Sequence, residues 1–220
     1  MTNDKVNHKK YWDKNRVLSS EVFQFPVYQF LSNYIKKNKI KTLIDLGCGI
    51  GSKLSYVNFH NPSTEIIGID QDDPISYCKK TYAFGKWLVD DFENPLLIKE
   101  LKAELLICCD VIEHLEDPDV LLDYIKSMLK KDGTAIISTP ERDRLRGVNC
   151  THSPNKFHIR EWSYDEFEIY LQSHGFEILK HFNQFPAKIG LNRFFFSVLF
   201  KRLLKLKPLK YNQVVMLKLK

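Results

Sequence analysis

The stretch Asp45–Gly51, with the sequence DLGCGIG, directly follows the short apolar run Lys41–Ile44. The apolar run predicts a strand that ends in an acidic residue, and three glycines at alternate positions then predict a turn. Glycine is used where the backbone takes a positive φ or where a ligand comes close to the main chain. The stretch therefore indicates a cofactor that lies against bare backbone at the end of a strand.

The charge of Asp45 narrows the class of cofactor. In the dinucleotide fingerprint G-x-G-x-x-G, phosphates lie on the N-terminus of the helix that follows the glycines. Here the third glycine comes one residue early, and a carboxylate before the first glycine repels a pyrophosphate but attracts a cation. The sign of the charge favours S-adenosylmethionine (SAM), which carries an ammonium group and a positive sulfur, over NAD. A glycine turn that binds no ligand is the alternative interpretation.

The length and composition fit a single soluble domain over residues 1–220. The chain is 44% hydrophobic and 27% charged, which is typical of globular proteins. We see no apolar segment of the signal-peptide kind near the start, and no run reaches the roughly 18 apolar residues of a membrane-spanning helix. The five cysteines, at positions 48, 78, 108, 109 and 150, fit neither a disulfide framework nor a C-x-x-C metal site. We therefore expect free thiols and a cytoplasmic protein.

The net charge of +6 is distributed unevenly along the chain. Every aspartate and glutamate lies at or before Glu177, whereas ten lysines and arginines lie between Lys180 and Lys220. A basic segment of this kind usually faces an anionic partner, such as a membrane surface, a nucleic acid or a phosphorylated substrate.

Short β-rich runs alternate with helical segments after residue 40. Strands separated by helices predict βαβ units and an α/β fold with a doubly wound, mostly parallel sheet. A helix over 11–37 precedes them, either continuous or in two pieces that meet near Pro26. The predicted strands are 42–46, 65–70, 86–90, 104–110, 134–139, 176–182 and 213–219; the helices between them are 53–59, 74–82, 120–129 and 162–173, and 131–133 form a turn.

Acidic residues end or follow four of the predicted strands. They are Asp45, Asp70, Asp90 with Asp91, and Asp110. Ligands of such sheets bind beyond the carboxyl ends of the strands, near the point where the strand order reverses. The shared placement of these acids therefore indicates one binding site.

From about residue 42 to residue 182 the chain resembles the class I, Rossmann-like SAM-dependent methyltransferases. Asp45–Gly51 is similar to their first motif, D-x-G-x-G-x-G, and Cys109–Leu115 (CDVIEHL) is similar to the D-V-[IL]-E-H-[LV] segment of many small-molecule methyltransferases. The resemblance implies a Rossmann-like sheet of seven strands whose last strand is antiparallel, a place that Gln213–Leu219 can fill.

The resemblance also assigns each part of SAM to residues of this chain. Asp70 resembles the acid that holds both ribose hydroxyls, and Asp91 resembles the acid that accepts from the adenine amino group. Asp90 is the alternative to Asp91. The expected cofactor-binding residues are Asp45, Gly47, Cys48, Gly49, Gly51 and Asp110 around the methionine end, Asp70 and Gln71 at the ribose, and Asp91 and Phe92 at the adenine.

The segment after the fourth predicted strand indicates which kind of atom receives the methyl group. Methyltransferases that act on adenine or glutamine nitrogen usually carry an N/D-P-P-Y/F tetrad there, whereas this chain has Cys109–Ile112 (CDVI). The E-H-L form is more often found in O-methyltransferases, including those that act on quinones. Ser138–Gly147 (STPERDRLRG) and Phe157–Trp162 (FHIREW) further resemble bacterial methyltransferases of cell-surface glycan synthesis.

These resemblances imply a SAM-dependent O-methyltransferase that acts on a hydroxyl of a saccharide, glycan or sugar-phosphate intermediate and releases S-adenosylhomocysteine (SAH). A membrane-associated enzyme for a quinone or other lipid-like acceptor is the alternative. RNA methylation is a third hypothesis, and a nucleic acid partner is not expected because the chain has no appended RNA-binding motif. A non-catalytic SAM-binding subunit is a fourth.

A sugar hydroxyl is a poor nucleophile near neutral pH, so a general base within hydrogen-bond reach would help. We expect His158 to be this base, because it is predicted to begin the helix in the loop that covers the substrate. His114 is the second candidate, with a role in holding its loop as the alternative, and His152 is the third. Glu113 and Asp110 could instead hold or activate the hydroxyl. The spacing shows no tight cluster of metal ligands, so no metal is expected.

Four arginines lie near the same predicted rim of the sheet. A guanidinium group binds phosphate or carboxylate with two hydrogen bonds, so these residues are expected to bind an anionic acceptor. Alternatively, two of them pair with neighbouring acids and fix the loop. The four are Arg142, Arg144, Arg146 and Arg160, and the alternative pairs Arg142 and Arg160 with Glu141, Asp143 and Glu161.

The chain also has N-terminal helices over 1–40 and a basic, apolar insertion over 186–211. Within 191–210, four polar residues recur at four-residue spacing and form one stripe of a predicted helix: Arg193, Ser197, Lys201 and Lys205. The apolar face of this helix could cap the active site, form a homodimer face or lie in a membrane interface. The expected location is the cytoplasm, with peripheral contact to the inner face of the membrane as an extension.

Overall fold

The computed structural model describes residues 14–96, 101–184 and 212–220, with side chains described from Phe23 onward. The predictions for residues 1–13 and for the insertion over 186–211 lie outside the described residues. The described elements are α1 (Lys14–Asn38), β1 (Thr42–Leu46), α2 (Ser52–His60), β2 (Glu65–Asp70), α3 (Asp72–Thr81), β3 (Gly85–Val89), β4 (Ala103–Cys109), a 3₁₀ turn (Ile112–His114), α4 (Pro118–Met128), β5 (Leu129–Pro140), α5 (Arg142–Arg146), α6 (Tyr164–Ser173), β6 (Phe176–Gln184) and β7 (Asn212–Leu219).

The seven strands form one sheet in the order β3-β2-β1-β4-β5-β7-β6. Neighbouring strands are parallel except at β7, which runs antiparallel to both β5 and β6. The chain builds outward from β1 to β3 and then returns to place β4 on the other side of β1. The strand order therefore reverses between β1 and β4, where ligands bind in sheets of this kind. The predicted Rossmann-like fold with an antiparallel last strand is confirmed.

Helices cover both faces of the sheet, so the central strands are buried on both sides. In β1, Leu43 packs in the cluster that contains Val27 and Leu31 of α1, whereas Ile44 packs in the cluster that contains Leu121 of α4. This alternation fixes the orientation of β1 and, with it, the position at which the glycine turn begins.

Helix α1 is continuous through Pro26, so the break that the sequence analysis allowed there does not occur. Proline removes one backbone donor and usually kinks a helix. Here the residues that follow it, Val27, Tyr28 and Leu31, are buried in the core, and this packing stabilises the helix beyond the proline. In the described part of the chain, no helix has the length and apolar character needed to cross a membrane.

Strand β5 begins at Leu129, earlier than the predicted start at Thr134. Ala103 of β4 pairs with Leu129, and Leu105 then pairs with Thr134, so the register shifts between the two pairs. Residues 130–133, most of which were predicted as a turn, form an irregular part of the strand because β4 keeps pairing across them.

Helix α6 begins at Tyr164, later than the predicted start at Trp162. Its N-terminus is a capping box, in which the side chains of Ser163 and Glu166 each accept a hydrogen bond from the backbone N–H of the other. His158 therefore lies in the loop before α6 and not at the start of a helix, which corrects the sequence-based placement.

Candidate active site

The glycine turn follows β1 directly and has the backbone conformation that the sequence predicts. Gly47, Gly49 and Gly51 have φ values of 83°, 55° and 74°, and Cys48 is buried between them. At Gly47 space is also required, because a Cβ atom would lie 2.3 Å from Cγ2 of Val111 in the loop after β4. The turn and the β4 loop therefore pack together at the point where the strand order reverses.

Asp70, at the end of β2, binds the glycine turn through its carboxylate. Oδ2 accepts a hydrogen bond from the backbone N–H of Gly49 at 2.7 Å, and Oδ1 accepts one from Gln71 at 2.7 Å. Burial raises the pKa of Asp70, and the two backbone donors oppose that shift. Each carboxylate oxygen can accept a further hydrogen bond, so Asp70 fits the predicted role of holding two ribose hydroxyls.

Asp45 lies in β1 and is completely buried. Its Oδ2 accepts a hydrogen bond from the Tyr28 hydroxyl at 2.7 Å, while no donor among the described residues reaches Oδ1. Burial raises the pKa of this carboxyl to about 7, with the Tyr28 hydrogen bond and the charge of Lys53 acting in the opposite direction. A nearby cation favours the charged form, so the environment fits an ammonium-bearing cofactor. Direct contact between Asp45 and the cofactor stays a prediction.

The structure separates the two neighbouring candidates for adenine binding. Asp90 is buried, and its carboxylate accepts hydrogen bonds from the Tyr124 hydroxyl and from the backbone N–H groups of Asp91 and Leu96. Asp91 is exposed, and the next residue, Phe92, is buried. These three hydrogen bonds give Asp90 a role in stabilising the fold. Adenine binding by Asp91 and Phe92 stays a prediction.

Asp110 follows β4 and has a positive φ of 53°. Its carboxylate joins three parts of the fold, since it accepts hydrogen bonds from Ser138 at 3.0 Å, Asn212 at 2.7 Å and Gln24 at 3.1 Å. The sequence analysis missed Gln24 and Asn212, and no local pattern distinguishes them. The role of Asp110 at the methionine end of SAM stays a prediction.

Glu113, His114 and His158 come together although the two histidines are far apart in the sequence. One ligand-capable atom from each lies within 4.8 Å of the others, and the two imidazole rings meet edge to face with centroids 4.8 Å apart. The prediction that the chain has no tight cluster of metal-ligating residues is therefore wrong. The cluster forms through contact between the β4 loop and the loop before α6, which residue spacing does not reveal.

Hydrogen bonds at Nδ1 set the orientation of both imidazole rings. His114 Nδ1 lies 2.7 Å from the carbonyl oxygen of Phe157, and His158 Nδ1 lies 2.6 Å from Oε1 of Glu161. Both partners accept hydrogen bonds, which assigns the proton of each neutral ring to Nδ1 and the lone pair to Nε2. The contact of His114 also matches the alternative in which this residue holds its loop in place.

Glu113 is completely buried within this cluster. Its Oε2 accepts a hydrogen bond from the Thr139 hydroxyl at 3.0 Å, and no donor in the described part of the chain reaches Oε1. Its backbone carbonyl accepts from the N–H groups of Ile159 at 2.8 Å and Arg160 at 3.3 Å, which joins the two loops. Burial, followed by the charge of Asp110, raises the pKa of the Glu113 carboxyl well above its usual range.

Glu161 holds the loop before α6 together, as the loop-fixing alternative suggested, but through partners other than the arginines named for it. Its buried carboxylate accepts hydrogen bonds from His158 at 2.6 Å, Ser153 at 2.6 Å, and Arg146 at 3.1 and 3.2 Å. Burial alone would raise the pKa of Glu161, but the bonds from His158, Arg146 and Ser153 outweigh it and lower the pKa to about 2. The carboxylate is therefore charged and fixes the position of His158.

Three of the four rim arginines form ion pairs within the chain. Arg142 binds both carboxylate oxygens of Glu166, at 2.7 and 2.9 Å, and also pairs with Asp143. Arg144 and Arg146 likewise pair with acids of the same loop, which are Glu141 and Glu161 respectively. These contacts follow the loop-fixing interpretation for Arg142 and extend it to two arginines for which it was not suggested.

Among the described residues, Arg160 forms no ion pair with Glu141, Asp143 or Glu161, the acids suggested for it. Its guanidinium lies 5.9 Å from the centre of the Trp162 ring, and the residue is exposed. A cavity of about 360 Å³ opens here, lined by Arg160 together with His152, Ser153, Glu161 and others. Acceptor binding by the four arginines and catalysis by His152 stay predictions.

Comparisons with known proteins identify the family of this chain. Residues 20–181 match the family described as methyltransferase domain. A small RNA 2′-O-methyltransferase from Xenopus tropicalis is 28% identical over 188 residues, which cover 74% of this chain and 48% of that protein. A ubiquinone biosynthesis O-methyltransferase from Actinobacillus pleuropneumoniae is 28% identical over 111 residues, which cover 46% of this chain and 47% of that protein. The chain thus spans about half the length of these curated relatives.

Solved structures share the fold at low sequence identity. A SAM-dependent methyltransferase from Clostridium acetobutylicum is 14% identical with a TM-score of 0.65, over 96% of this chain and 97% of that one. The plantazolicin methyltransferase BamL, solved in complex with a triazolic desmethylPZN analog and SAH, is 18% identical with a TM-score of 0.64, over 92% of this chain and 86% of that one. The chain belongs to the methyltransferase-domain family and has a Rossmann-like fold.

Proposed function

We propose that this methyltransferase transfers the methyl group of SAM to a hydroxyl oxygen of a saccharide, glycan or sugar-phosphate acceptor. The observation that carries the proposal is the cluster of Glu113, His114 and His158 beside the glycine turn. Val111, against which Gly47 packs, lies only two residues before Glu113. A proton-accepting cluster at this point fits a hydroxyl, whose proton has to leave as the methyl ether forms.

The residues that would hold SAM act on different parts of the molecule. Asp45 attracts the ammonium group, Asp70 accepts from the ribose hydroxyls, and Asp91 accepts from the adenine amino group. When bound, SAM supplies a methyl carbon on a positively charged sulfur, which leaves with the bonding electrons as the neutral thioether of SAH. The task of the chain is to align the acceptor oxygen with that carbon, because the displacement is in line.

His158 offers a defined atom to which the hydroxyl proton can pass. Since its Nδ1–H is donated to Glu161, the lone pair on Nε2 is the position that receives a proton. The charged carboxylate of Glu161 would stabilise the imidazolium that results, as an acid supports a histidine in other catalytic pairs. His114, whose ring meets that of His158 edge to face, is the second candidate for this base.

The polarity of the surroundings supports a sugar acceptor. The cavity beside Glu161 is lined largely by polar and charged side chains, among them Arg160 and His152. An exposed guanidinium such as that of Arg160 suits the phosphate of a sugar phosphate. The name of the relative from Xenopus tropicalis places its methyl group on a 2′ oxygen of RNA, which is itself a sugar hydroxyl.

Methylation of a quinone or another lipid-like acceptor is the second candidate function. The relative from Actinobacillus pleuropneumoniae, an O-methyltransferase of ubiquinone biosynthesis, favours it. The basic composition of 191–210 supports contact with the inner face of a membrane, where such acceptors are found. Both candidates place the protein in the cytoplasm.

The test offers three classes of acceptor together with SAM whose methyl group is isotopically labelled. The classes are nucleotide sugars with phosphorylated oligosaccharides, a hydroxylated quinol with a short isoprenoid tail, and a short RNA. NMR and mass spectrometry then locate the label, and we expect a methyl ether on a sugar of the first class. A label on the quinol alone would replace the proposal with the second candidate, and a label on nitrogen or carbon would contradict O-methylation. Asp70→Ala serves as the control for background that does not depend on SAM binding.

A further inference from the structure

We infer that Glu113, His114 and His158 bind one divalent transition-metal ion, which holds the acceptor hydroxyl next to the cofactor. The role of the ion rests on the proposed function, whereas its binding is tested independently. The three ligand atoms lie within 4.8 Å of one another. Ligands at about 2.1 Å from a tetrahedral ion are about 3.4 Å apart, so binding would draw these atoms together by up to about 1.4 Å.

Both histidines have the hydrogen-bonding pattern of metal ligands. A ligating imidazole usually donates its other N–H to a carboxylate or a backbone carbonyl, which fixes the ring and its tautomer. His158 donates Nδ1–H to Glu161 at 2.6 Å, and His114 donates Nδ1–H to the carbonyl of Phe157 at 2.7 Å. In each ring Nε2 is then the nitrogen whose lone pair can bind an ion.

Glu113 provides a second, independent observation. Its side chain is completely buried, yet Oε1 has no hydrogen-bond donor among the described residues, whereas Oε2 is held by Thr139. Buried polar atoms are nearly always paired. For a carboxylate oxygen that lies beside two imidazole rings, a shared cation is the partner that satisfies all three side chains.

The donor set decides the class of ion. Two imidazole nitrogens and one carboxylate oxygen suit Zn²⁺ and other first-row transition metals, whereas Mg²⁺ and Ca²⁺ prefer oxygen ligands. Asp110 does not join the set, because three hydrogen-bond donors already hold its carboxylate. Three protein ligands leave positions open for the acceptor hydroxyl, whose pKa such an ion lowers. The hydroxyl proton would then pass to solvent water, so the ion would take over the activation that the imidazoles otherwise provide as bases.

The test measures Mn²⁺ binding to the tag-free protein of 220 residues, without SAM or acceptor, from the loss of the EPR signal of free Mn²⁺. We expect one ion per chain, displaced by an equimolar amount of Zn²⁺ but not of Mg²⁺. Glu113→Gln and His158→Gln should each weaken binding by about 10-fold or more. His152→Gln is the matched control, because His152 lies exposed in the same loop and outside the cluster, and it should bind like the wild type.

A wild-type protein that binds neither Mn²⁺ nor Zn²⁺ would overturn the inference, and so would equal affinities in all three variants. Melting temperatures measured without metal show whether a loss of binding results from unfolding. If Glu113→Gln does not fold, the test rests on the number of ions that the wild-type protein binds and on the affinity of His158→Gln. Failure of metal binding would leave the sugar-hydroxyl proposal standing with a histidine base. Conversely, a methylated quinol in the acceptor assay would leave metal binding untouched.

Discussion

The cofactor half and the acceptor half of the site are held together in different ways. The cofactor half consists of Asp45, the glycine turn 47–51, Asp70 and residues 90–92, and the acceptor half consists of residues 111–114 with the loop 141–163. In the cofactor half, most of the hydrogen bonds to the carboxylates come from backbone N–H groups, as the bond from Gly49 to Asp70 does. In the acceptor half, side chains bind one another, as Glu161 binds Arg146 and His158.

This difference determines which amino-acid substitutions each half tolerates. Backbone donors are present whatever the residue type, so the cofactor half needs only glycines in the turn and acids at the strand ends. The acceptor half depends on particular side chains in loops, which is where binding specificity usually varies. We therefore expect substitutions in one half to leave the ligand of the other half unaffected.

The largest expected effect is that of Asp70→Ala on the cofactor half. The substitution removes the acceptor of the Gly49 N–H and the acceptor proposed for the ribose hydroxyls, so the Kd for SAM should rise by about 100-fold or more. Isothermal titration calorimetry measures this change. Asp73→Ala, at an exposed acid in the first turn of α3, is the control and should leave the Kd unchanged. Undiminished binding by Asp70→Ala would refute the assignment of the cofactor half.

The second effect is that of Glu161→Gln, on the acceptor half alone. The amide keeps the shape of the side chain but loses the charge that binds Arg146 and supports His158, so kcat/KM should fall by about 10- to 100-fold. The rate of SAH release with the identified acceptor measures this, and the Kd for SAM should not change. Glu168→Gln, which removes a carboxylate paired with His181, is the matched control. A weaker affinity for SAM in Glu161→Gln would show that the two halves are coupled.

The same comparison explains how much could be predicted from the sequence. Strand β1 with its acid Asp45 and the glycine turn that follows can be predicted from local patterns, because they are adjacent in the chain. The partners of Asp110 could not be found in this way, since Gln24 and Asn212 lie 86 and 102 residues from it and their residue types carry no signal. The sequence showed that Glu161 is close to several basic residues but not which of them it binds.

Element boundaries differ from the predictions where tertiary packing outweighs local preference. The helix through Pro26 persists because the residues after it are buried, and β5 starts at Leu129 because β4 pairs with it there. The prediction that His158 begins a helix was wrong for a more local reason. Ser163 and Glu166 form the capping box that begins α6, and that motif was present in the sequence.

The smallest expected effect is that of Asp45→Asn on the pH dependence of the protein. Burial raises the pKa of Asp45 to about 7, compared with about 4 in an unfolded chain. Between these values the folded protein holds a proton that the unfolded chain releases, so this carboxyl lowers stability as the pH rises from about 4 to about 7. The melting temperature of Asp45→Asn should therefore fall less steeply than that of the wild type over this range.

SAM binding should have the opposite slope, because the charged carboxylate is the form that attracts the ammonium group. Between pH 6 and pH 8 the wild-type Kd is expected to fall by about 3- to 10-fold, whereas Asp45→Asn should lack this change, with Asp73→Asn as the control in calorimetry. A variant that keeps the wild-type pH dependence would assign it to another group. Asp70 is the first candidate, since burial also raises its pKa. Asp45 would then serve the fold through Tyr28, and the cofactor half would depend on Asp70 and the backbone donors alone.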